Sequence, residues 1–212
     1  MSSAFIYKVQ DYGESSKLLF TYTPYGKITL IAKGAKNYKN LNYSLTEYFS
    51  LIEVDLKENK TMQTLAKASL LKDYPLYKVL DNIKYLKSYI SALNYLITDD
   101  LPHERLFKLL VTLLDFKNIR LGLVTFYIKL TYALGYQLTF YKHDYQGFNL
   151  TLGKTISTKE NLKIDLNKRE TDFLKEIYFL TEEVEIEEEI LLELEQFIKK
   201  YYKYHIDYNI EV

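Results

Sequence analysis

The sequence of 212 residues contains no cysteine, and it has only seven glycines, three prolines and three histidines. The lack of cysteine excludes a disulfide framework, a cysteine nucleophile, an iron–sulfur cluster and a thiolate zinc site. No two glycines form a Gly-x-Gly pair, so the fingerprint of a dinucleotide-binding fold is absent. Gly26-Lys27 lacks the first glycine of a phosphate-binding loop, and His103-Glu104 lacks the second histidine of a zinc-protease helix. The sequence therefore contains no motif that indicates an enzyme or a metal site.

Long apolar runs are also missing. No uninterrupted apolar stretch reaches the roughly 18 residues of a membrane span. The segment MSSAFIYKVQDYG at the start lacks the charged region and the apolar core of a signal peptide. These absences predict a cytoplasmic protein without membrane contact.

The chain has no excess of one charge, because 28 Lys+Arg balance 28 Asp+Glu, and this excludes a uniformly basic binder. The balance hides an asymmetry along the sequence. Residues 1–80 carry 11 basic and 7 acidic side chains, residues 81–154 carry 9 and 6, and residues 155–212 carry 8 and 15. A polyanionic partner is therefore expected to bind the first two thirds of the chain.

The first 71 residues alternate between apolar and polar side chains with a period of two, which is typical of strands. Turns that contain glycine or proline separate the first strands. Five strands are predicted, at residues 5–10, 18–22, 28–32, 46–56 and 61–71. Five short strands suit an OB-fold barrel, although this pattern alone also suits an SH3-like barrel.

After Pro75 the apolar residues recur at steps of three or four, which indicates amphipathic helices. Helices are predicted at residues 79–97, 103–116, 119–134, 168–180 and 187–204. Residues 136–166 lose this period and are predicted to form a loop or a short hairpin. The fold class is therefore α+β, with a five-stranded barrel in residues 1–74 and an all-helical domain in residues 75–212 that contains the irregular segment.

Between residues 22 and 43 four lysines fall among four tyrosines, on a predicted strand and the loop that follows it: Lys27, Lys33, Lys36 and Lys39 among Tyr22, Tyr25, Tyr38 and Tyr43. Lysine ammonium groups neutralise phosphates, and tyrosine rings are platforms for unpaired bases. The segment therefore predicts binding of a single-stranded nucleic acid. An ordinary solvated loop remains the alternative, because the chain has 22 tyrosines and is rich in lysine throughout.

Six short segments follow one another along nearly the whole chain in an order that resembles a known family. They are DYGESSKLL at 11–19, YGK at 25–27, AKGAK at 32–36, NIRL at 118–121, YALGY at 132–136 and YYKYHI at 201–206. In this order they resemble the bacterial recombination mediator family RecO.

The resemblance implies an N-terminal OB-fold, a helical domain, and neither catalytic residues nor a cofactor. RecO proteins bind single- and double-stranded DNA and anneal complementary strands. With RecR they help to load RecA onto DNA that is coated by the single-strand-binding protein SSB. The resemblance therefore implies a cytoplasmic, nucleoid-associated DNA repair protein that is not an enzyme and has no small-molecule substrate.

The resemblance also assigns roles to individual residues. Lys33 and Lys36 match the basic positions of the AKGAK signature, and Lys27 matches the basic turn, so these three lysines are the expected DNA contacts. Lys39 and Tyr25 are added to them on spacing alone. The helical domain of the family binds the acidic, phenylalanine-ended tail of SSB, for which we expect Arg120, with Lys129 half a turn away around the same helix.

One departure concerns zinc. Many RecO proteins carry a four-cysteine zinc module after the Leu-Gly-Tyr helix, whereas residues 137–155 contain no cysteine. The chain therefore resembles a zinc-less variant. We expect apolar packing to hold this segment, by Leu138, Phe140, Phe148 and Leu152.

Two other functions fit the sequence. One is a barrel-and-helix adaptor that binds only proteins, and the other is an RNA-binding OB-fold factor. A steep dependence of affinity on salt would separate a DNA binder from the adaptor, and competition between DNA and RNA would identify an RNA reader.

Overall fold

The computed structural model of the chain describes residues 1–40, 42–57, 60–141, 144–180 and 182–211. These residues form two compact units, 1–111 and 112–212. The first unit contains β1 (Ser2–Tyr12), β2 (Ser16–Thr23), β3 (Gly26–Ala32), β4 (Ser50–Val54), β5 (Met62–Thr64), β6 (Ala68–Asp73), α1 (Ile83–Tyr95) and most of α2 (His103–Leu114). The second contains α3 (Ile119–Ala133), β7 (Tyr145–Asn149), β8 (Lys154–Ser157), β9 (Leu166–Asn167), α4 (Lys168–Phe179) and α5 (Glu188–His205).

The six strands of the first unit form one sheet in the order β5-β3-β2-β1-β4-β6. Its two outermost strands, β5 and β6, are consecutive in the chain and are separated only by residues 65–67. β5 pairs in parallel with β3, and β6 pairs antiparallel with β4. Because one segment of chain joins both ends of the sheet, the sheet closes into a barrel, which confirms the predicted OB-fold.

The strand count differs from the prediction because the expected fifth strand, residues 61–71, is divided. At the division Leu65 donates its backbone N–H to the carbonyl of Ile31 and its side chain is buried in the barrel core. The chain then turns away from β3 toward β4. The expected fourth strand is also shorter than predicted, since Phe49 has a positive φ of 57° and β4 begins only at the next residue.

Alternate residues of the strands point into the barrel and form its core. Leu19 of β2 and Leu30 of β3 are buried there with Ile52 and Val54 of β4. This alternation is the period-two pattern of the sequence.

The helices follow their predicted positions closely, with one shift at α1. The apolar period predicts a start at Val79, but Val79 is extended and residues 80–82 form a 3₁₀ turn, so α1 starts at Ile83. The six-stranded sheet ends at Asp73, whereas the boundary between the two compact units falls within α2. The predicted domain boundary after residue 74 stays a prediction. In the described ranges, no helix is long and apolar enough to cross a membrane.

The second part of the chain differs from the predicted all-helical domain. It contains a three-stranded sheet in the order β8-β7-β9. β7 and β8 form the hairpin that was one of the two predictions for residues 136–166. Phe148 of β7 is fully buried, and its ring lies 5.5 Å from those of Phe140 and Phe197. Leu138 is buried as expected, but Leu152 is 51% exposed in the turn of the hairpin and does not pack as predicted.

Candidate nucleic-acid interface

The AKGAK segment at residues 32–36 leaves β3 in a loop whose side chains alternate between the core and the surface. Ala32 and Ala35 are completely buried in the barrel core. Gly34 has a φ of +71°, a left-handed conformation that lets the chain turn between the two alanines. Lys33 is exposed and Lys36 is half-buried. The two alanines of the signature thus fix the loop to the barrel core, and Lys33 between them is exposed to solvent.

Lys36 binds other parts of the barrel. Its Nζ donates to the carbonyl oxygen of Gly13 at 2.9 Å and lies 3.1 Å from Oδ2 of Asp11. Its backbone N–H donates to the carbonyl of Ser15. Lys36 therefore ties the loop after β3 to the turn between β1 and β2, and Asp11 offsets its charge.

Lys33 and Lys39 are exposed at this end of β3. The Lys39 ammonium lies 5.7 Å from the ring centroid of Tyr38, which is 74% exposed. Sequence reasoning missed Lys17, whose ammonium lies 5.4 Å from the ring of Tyr43. Its position beside the loop is a consequence of strand pairing, since Lys17 is opposite Ala32.

Tyr25 and Lys27 lie at the other end of β3, beside a groove of about 470 Å³. Tyr25 is 73% exposed in the turn before β3. Lys57 and Lys60 also line the groove, together with the acidic residue Asp55. Sequence reasoning placed these two lysines in a polar turn, and only the folding of the barrel brings them beside Lys27.

The five predicted DNA contacts therefore form two groups rather than one. Lys27 lies near the start of β3 and Lys33 directly after its end, six residues further on, which corresponds to about 20 Å at a rise of about 3.3 Å per residue. Tyr25 belongs with Lys27, while Lys36 and Lys39 belong with Lys33. The lysines are not bunched at one edge of the barrel but lie at both ends of β3.

An open surface of the barrel lies between the two groups. We call it the outer face and define it by pairs of residues that do not enter the core: Lys8 and Gln10 of β1, Leu18 and Phe20 of β2, and Thr29 and Ile31 of β3. Lys8 and Gln10 are exposed, and the other four are half-buried.

α2 closes the outer face at the Lys27 end. The hydroxyl of Tyr22 lies 3.2 Å from Nδ1 of His103, and burial raises the pKa of Tyr22 well above its usual value. Gly26 makes this approach possible, since a Cβ there would lie 3.2 Å from the imidazole. Tyr22 is only 1% exposed, so it offers no ring to a ligand.

Arg120, the expected contact for the SSB tail, lies in the first turn of α3 and pairs with carboxylates of α5. Its Nε donates to Oε2 of Glu195 at 2.5 Å, and its Nη1 donates to Glu188. Burial opposes ionisation of Glu195, but hydrogen bonds from Lys199 and Arg120 outweigh it and lower the pKa of this carboxyl. The adjacent cavity of about 10 Å³ has room for about one water molecule.

Lys129 does not join Arg120. Its Nζ donates to the carbonyl oxygen of Tyr178 on α4 at 2.9 Å, whereas Arg120 contacts α5. Burial lowers the pKa of Lys129 to about 8. The two expected tail contacts are therefore separate, each bound to a different helix.

The described residues between 137 and 155, where many RecO proteins have a zinc module, do not fit a metal. They include no cysteine, and in the ranges that the structure describes no group of three or more histidine, aspartate or glutamate side chains is arranged to bind an ion. His205 instead approaches the carbonyl oxygen of Leu150 with its Nε2 at 2.8 Å, and Tyr201 donates to the carbonyl of Tyr136. Packing and these bonds hold the hairpin to α5.

The fold and the site define an α+β protein built on an OB-fold barrel with lysines at both ends of one strand. Residues 1–74 match the family described as "Recombination protein O N terminal". The chain is also similar to the DNA repair protein RecO of Clostridium novyi (strain NT), with 30% identity over 148 residues, which are 66% of this chain and 58% of that protein.

Two further relatives are named DNA repair protein RecO. That of Clostridium kluyveri is 33% identical over 147 residues, 65% of this chain and 56% of that protein. That of Halalkalibacterium halodurans is 29% identical over 118 residues, 53% and 45% of the two chains. The chain spans about half the length of the curated relatives it matches. Its first 74 residues match the N-terminal family of RecO, and about two thirds of the chain is similar to RecO proteins.

Proposed function

We propose that this chain binds DNA through its barrel and acts in DNA repair as a non-enzymatic recombination mediator. The observation that carries the proposal is the pair of lysine groups at the two ends of β3, with the exposed Lys33 at one end and the groove of Lys27, Lys57 and Lys60 at the other. Cations about 20 Å apart on one surface neutralise several phosphates of a strand that crosses it. The RecO names of its relatives agree with this role.

The proposed activity is the annealing of complementary strands, which needs charge neutralisation and accessible bases. Two strands repel each other through their phosphates, and a strand bound along a basic surface is repelled less by its complement. Such a surface binds both single- and double-stranded DNA. No residue is proposed to act chemically on DNA.

The family resemblance extends the proposal to RecR and to SSB. In this role the barrel binds the DNA, and the chain acts with RecR to help load RecA onto SSB-coated DNA. Arg120 is the proposed contact for the acidic tail of SSB, and Lys129 is a second, separate contact. Because Glu188 already binds Arg120, the tail must displace it. The Glu188 side chain is 74% exposed, so displacement needs little rearrangement.

This competition is tested with a synthetic acidic peptide that ends in phenylalanine. Glu188→Gln weakens the internal ion pair and should bind the peptide about 3- to 10-fold more tightly than the wild type, as expected for a change of about 1 kcal/mol. Arg120→Met should abolish binding. Equal affinity of all three proteins would remove Arg120 from the tail site.

The DNA proposal is tested by charge reversal at residues that the fold does not need. Lys33→Glu with Lys39→Glu should weaken binding of a single-stranded oligonucleotide at least about 10-fold in fluorescence anisotropy. Lys159→Glu with Lys168→Glu is the control, since it makes the same change at exposed lysines of the second unit. Equal affinities of the two variants would contradict the assigned surface. Absence of DNA binding by the wild type would favour the protein adaptor, and preference for RNA in competition would favour an RNA reader.

A further inference from the structure

Phe20 lies at the centre of the outer face. Its neighbours in β2, Leu19 and Thr21, are fully buried on the core side of the strand. Phe20 itself is half-buried and does not belong to the barrel core. The ring therefore lies on the surface between the two lysine groups, and the packing of the barrel interior does not account for it.

The neighbours of Phe20 on adjacent strands leave space for a flat ligand. Lys8 is opposite Phe20 on β1, and Thr29 is opposite it on β3. Thr29 has a small side chain. Leu18 and Ile31 lie two residues further along their strands, about 7 Å from Phe20 and Thr29, and add apolar surface beside the ring. The ammonium of Lys8 lies over the ring, 4.8 Å from its centroid.

We propose that Phe20, covered by Lys8 in the absence of DNA, is a stacking platform for one unpaired base and makes the barrel select single strands over duplexes. The inference rests on the proposed DNA binding and adds to it. A cation over a ring at the surface of the protein is held only weakly. Lys8 therefore moves from the ring to a phosphate when a base takes its place.

Selectivity follows from which faces of a base are accessible. A base in a duplex is stacked on both faces and leaves none for Phe20, whereas an unpaired base can stack on an aromatic side chain. The lysines at the two ends of β3 bind phosphates of either form. Duplex binding thus uses charge alone, and single-strand binding uses charge and stacking.

The first test uses the lack of tryptophan in the sequence. Phe20→Trp introduces a single indole at the proposed platform, and the larger ring keeps the stacking surface. Oligo(dT) should quench its fluorescence, while a duplex of equal length, bound to saturation, should not. Tyr95→Trp on the exposed surface of α1 is the control, because Tyr95 is 74% exposed and outside the outer face. Equal quenching by the two DNA forms, or none by either bound form, would overturn the proposal.

The second test compares affinities. Phe20→Ala should weaken binding of oligo(dT) about 5- to 150-fold, the range for loss of one stacked base, and change duplex affinity less than about 2-fold. Leu70→Ala is the control, because it removes exposed apolar surface from β6, outside the outer face, without removing a ring, and it should leave the ratio of the two affinities unchanged. Phe20→Tyr should retain the wild-type ratio.

The outcomes separate this inference from the proposed function. Equal weakening for single strands and duplex in Phe20→Ala would contradict the platform while DNA binding stands. A wild type that binds neither form would contradict DNA binding itself. If circular dichroism shows that Phe20→Ala is unfolded, the quenching of Phe20→Trp fluorescence by single strands and by duplex decides whether Phe20 is a stacking platform.

Discussion

At the scale of single residues, the two lysines of the AKGAK signature have different tasks. Lys33 is exposed, while Lys36 bonds to Gly13 and pairs with Asp11. A variant that reverses both charges would therefore damage the loop as well as the proposed DNA surface. Only variants that treat the two lysines separately distinguish binding from folding.

Lys36→Met should lower the free energy of unfolding by about 1 kcal/mol, because it removes one hydrogen bond and a partly exposed ion pair. Lys33→Met should leave stability nearly unchanged and should weaken DNA binding at least as much as Lys36→Met. Urea unfolding and anisotropy on the same preparations measure both effects. Equal stability of the two variants would show that the bonds of Lys36 do not hold the loop.

Gly26 gives a second prediction at this scale, since its φ of +107° is unfavourable for any other residue and a Cβ would lie 3.2 Å from the ring of His103. Gly26→Ala should lower the free energy of unfolding by about 3 kcal/mol. Gly13→Ala is the matched control, because Gly13 also has a positive φ but no atom within 4 Å of a Cβ. It should lose only about 1 kcal/mol. Similar losses would mean that the contact between β3 and α2 contributes little.

At the scale of elements, α3 is buried on almost every side, and Lys129 is a charged residue of this helix that reaches the carbonyl of Tyr178 on α4. Burial lowers the pKa of Lys129 to about 8, below its ordinary value of 10.5. Between these two pH values the unfolded chain binds more protons at this side chain than the folded chain does. The contribution of Lys129 to stability therefore rises with pH in this interval.

The prediction is a pH-dependent difference between the wild type and Lys129→Met. The free energy of unfolding of the wild type, relative to that of the variant, should increase from pH 8 to pH 10 and stay constant from pH 6 to pH 7. Urea unfolding across this range measures it. A constant difference up to pH 10 would show that the ammonium is as well solvated in α3 as in the unfolded chain.

The elements also show how far sequence reasoning reaches. The helices were located by their apolar period, and Asn118 and Asn167 cap α3 and α4 as such residues commonly do. The division of the fifth strand at Leu65 was not predictable, because it depends on a hydrogen bond to Ile31 of a distant strand. The pairing of β9 with β7 has the same non-local origin.

The sequence named five residues of the candidate site, but it did not indicate their arrangement or the lysines that join them. The family resemblance named Lys27 and Lys33, but only the extent of β3 shows that they lie at its opposite ends. Lys57 and Lys60 join the groove through barrel closure, which no local pattern signals. Phe20 was assigned to a strand, but its exposure depends on what covers that face.

At the scale of the whole molecule, the two units differ in charge. Residues 1–111 carry 15 basic and 11 acidic side chains, and residues 112–212 carry 13 and 17. The first unit is therefore positive and the second negative by equal amounts. A polyanion is attracted to the barrel unit and repelled by the other, and screening by salt weakens both effects.

The most direct test of the central claim, that lysines of the barrel bind a nucleic-acid backbone, is a salt titration of single-strand binding by the full chain. If three to five lysines contact phosphates, the logarithm of the association constant should fall with the logarithm of salt concentration with a slope of about −2 to −3.5. Lys33→Glu with Lys39→Glu should make this slope shallower by about one or more. A wild-type slope near zero, or no binding at about 50 mM salt, would contradict the claim.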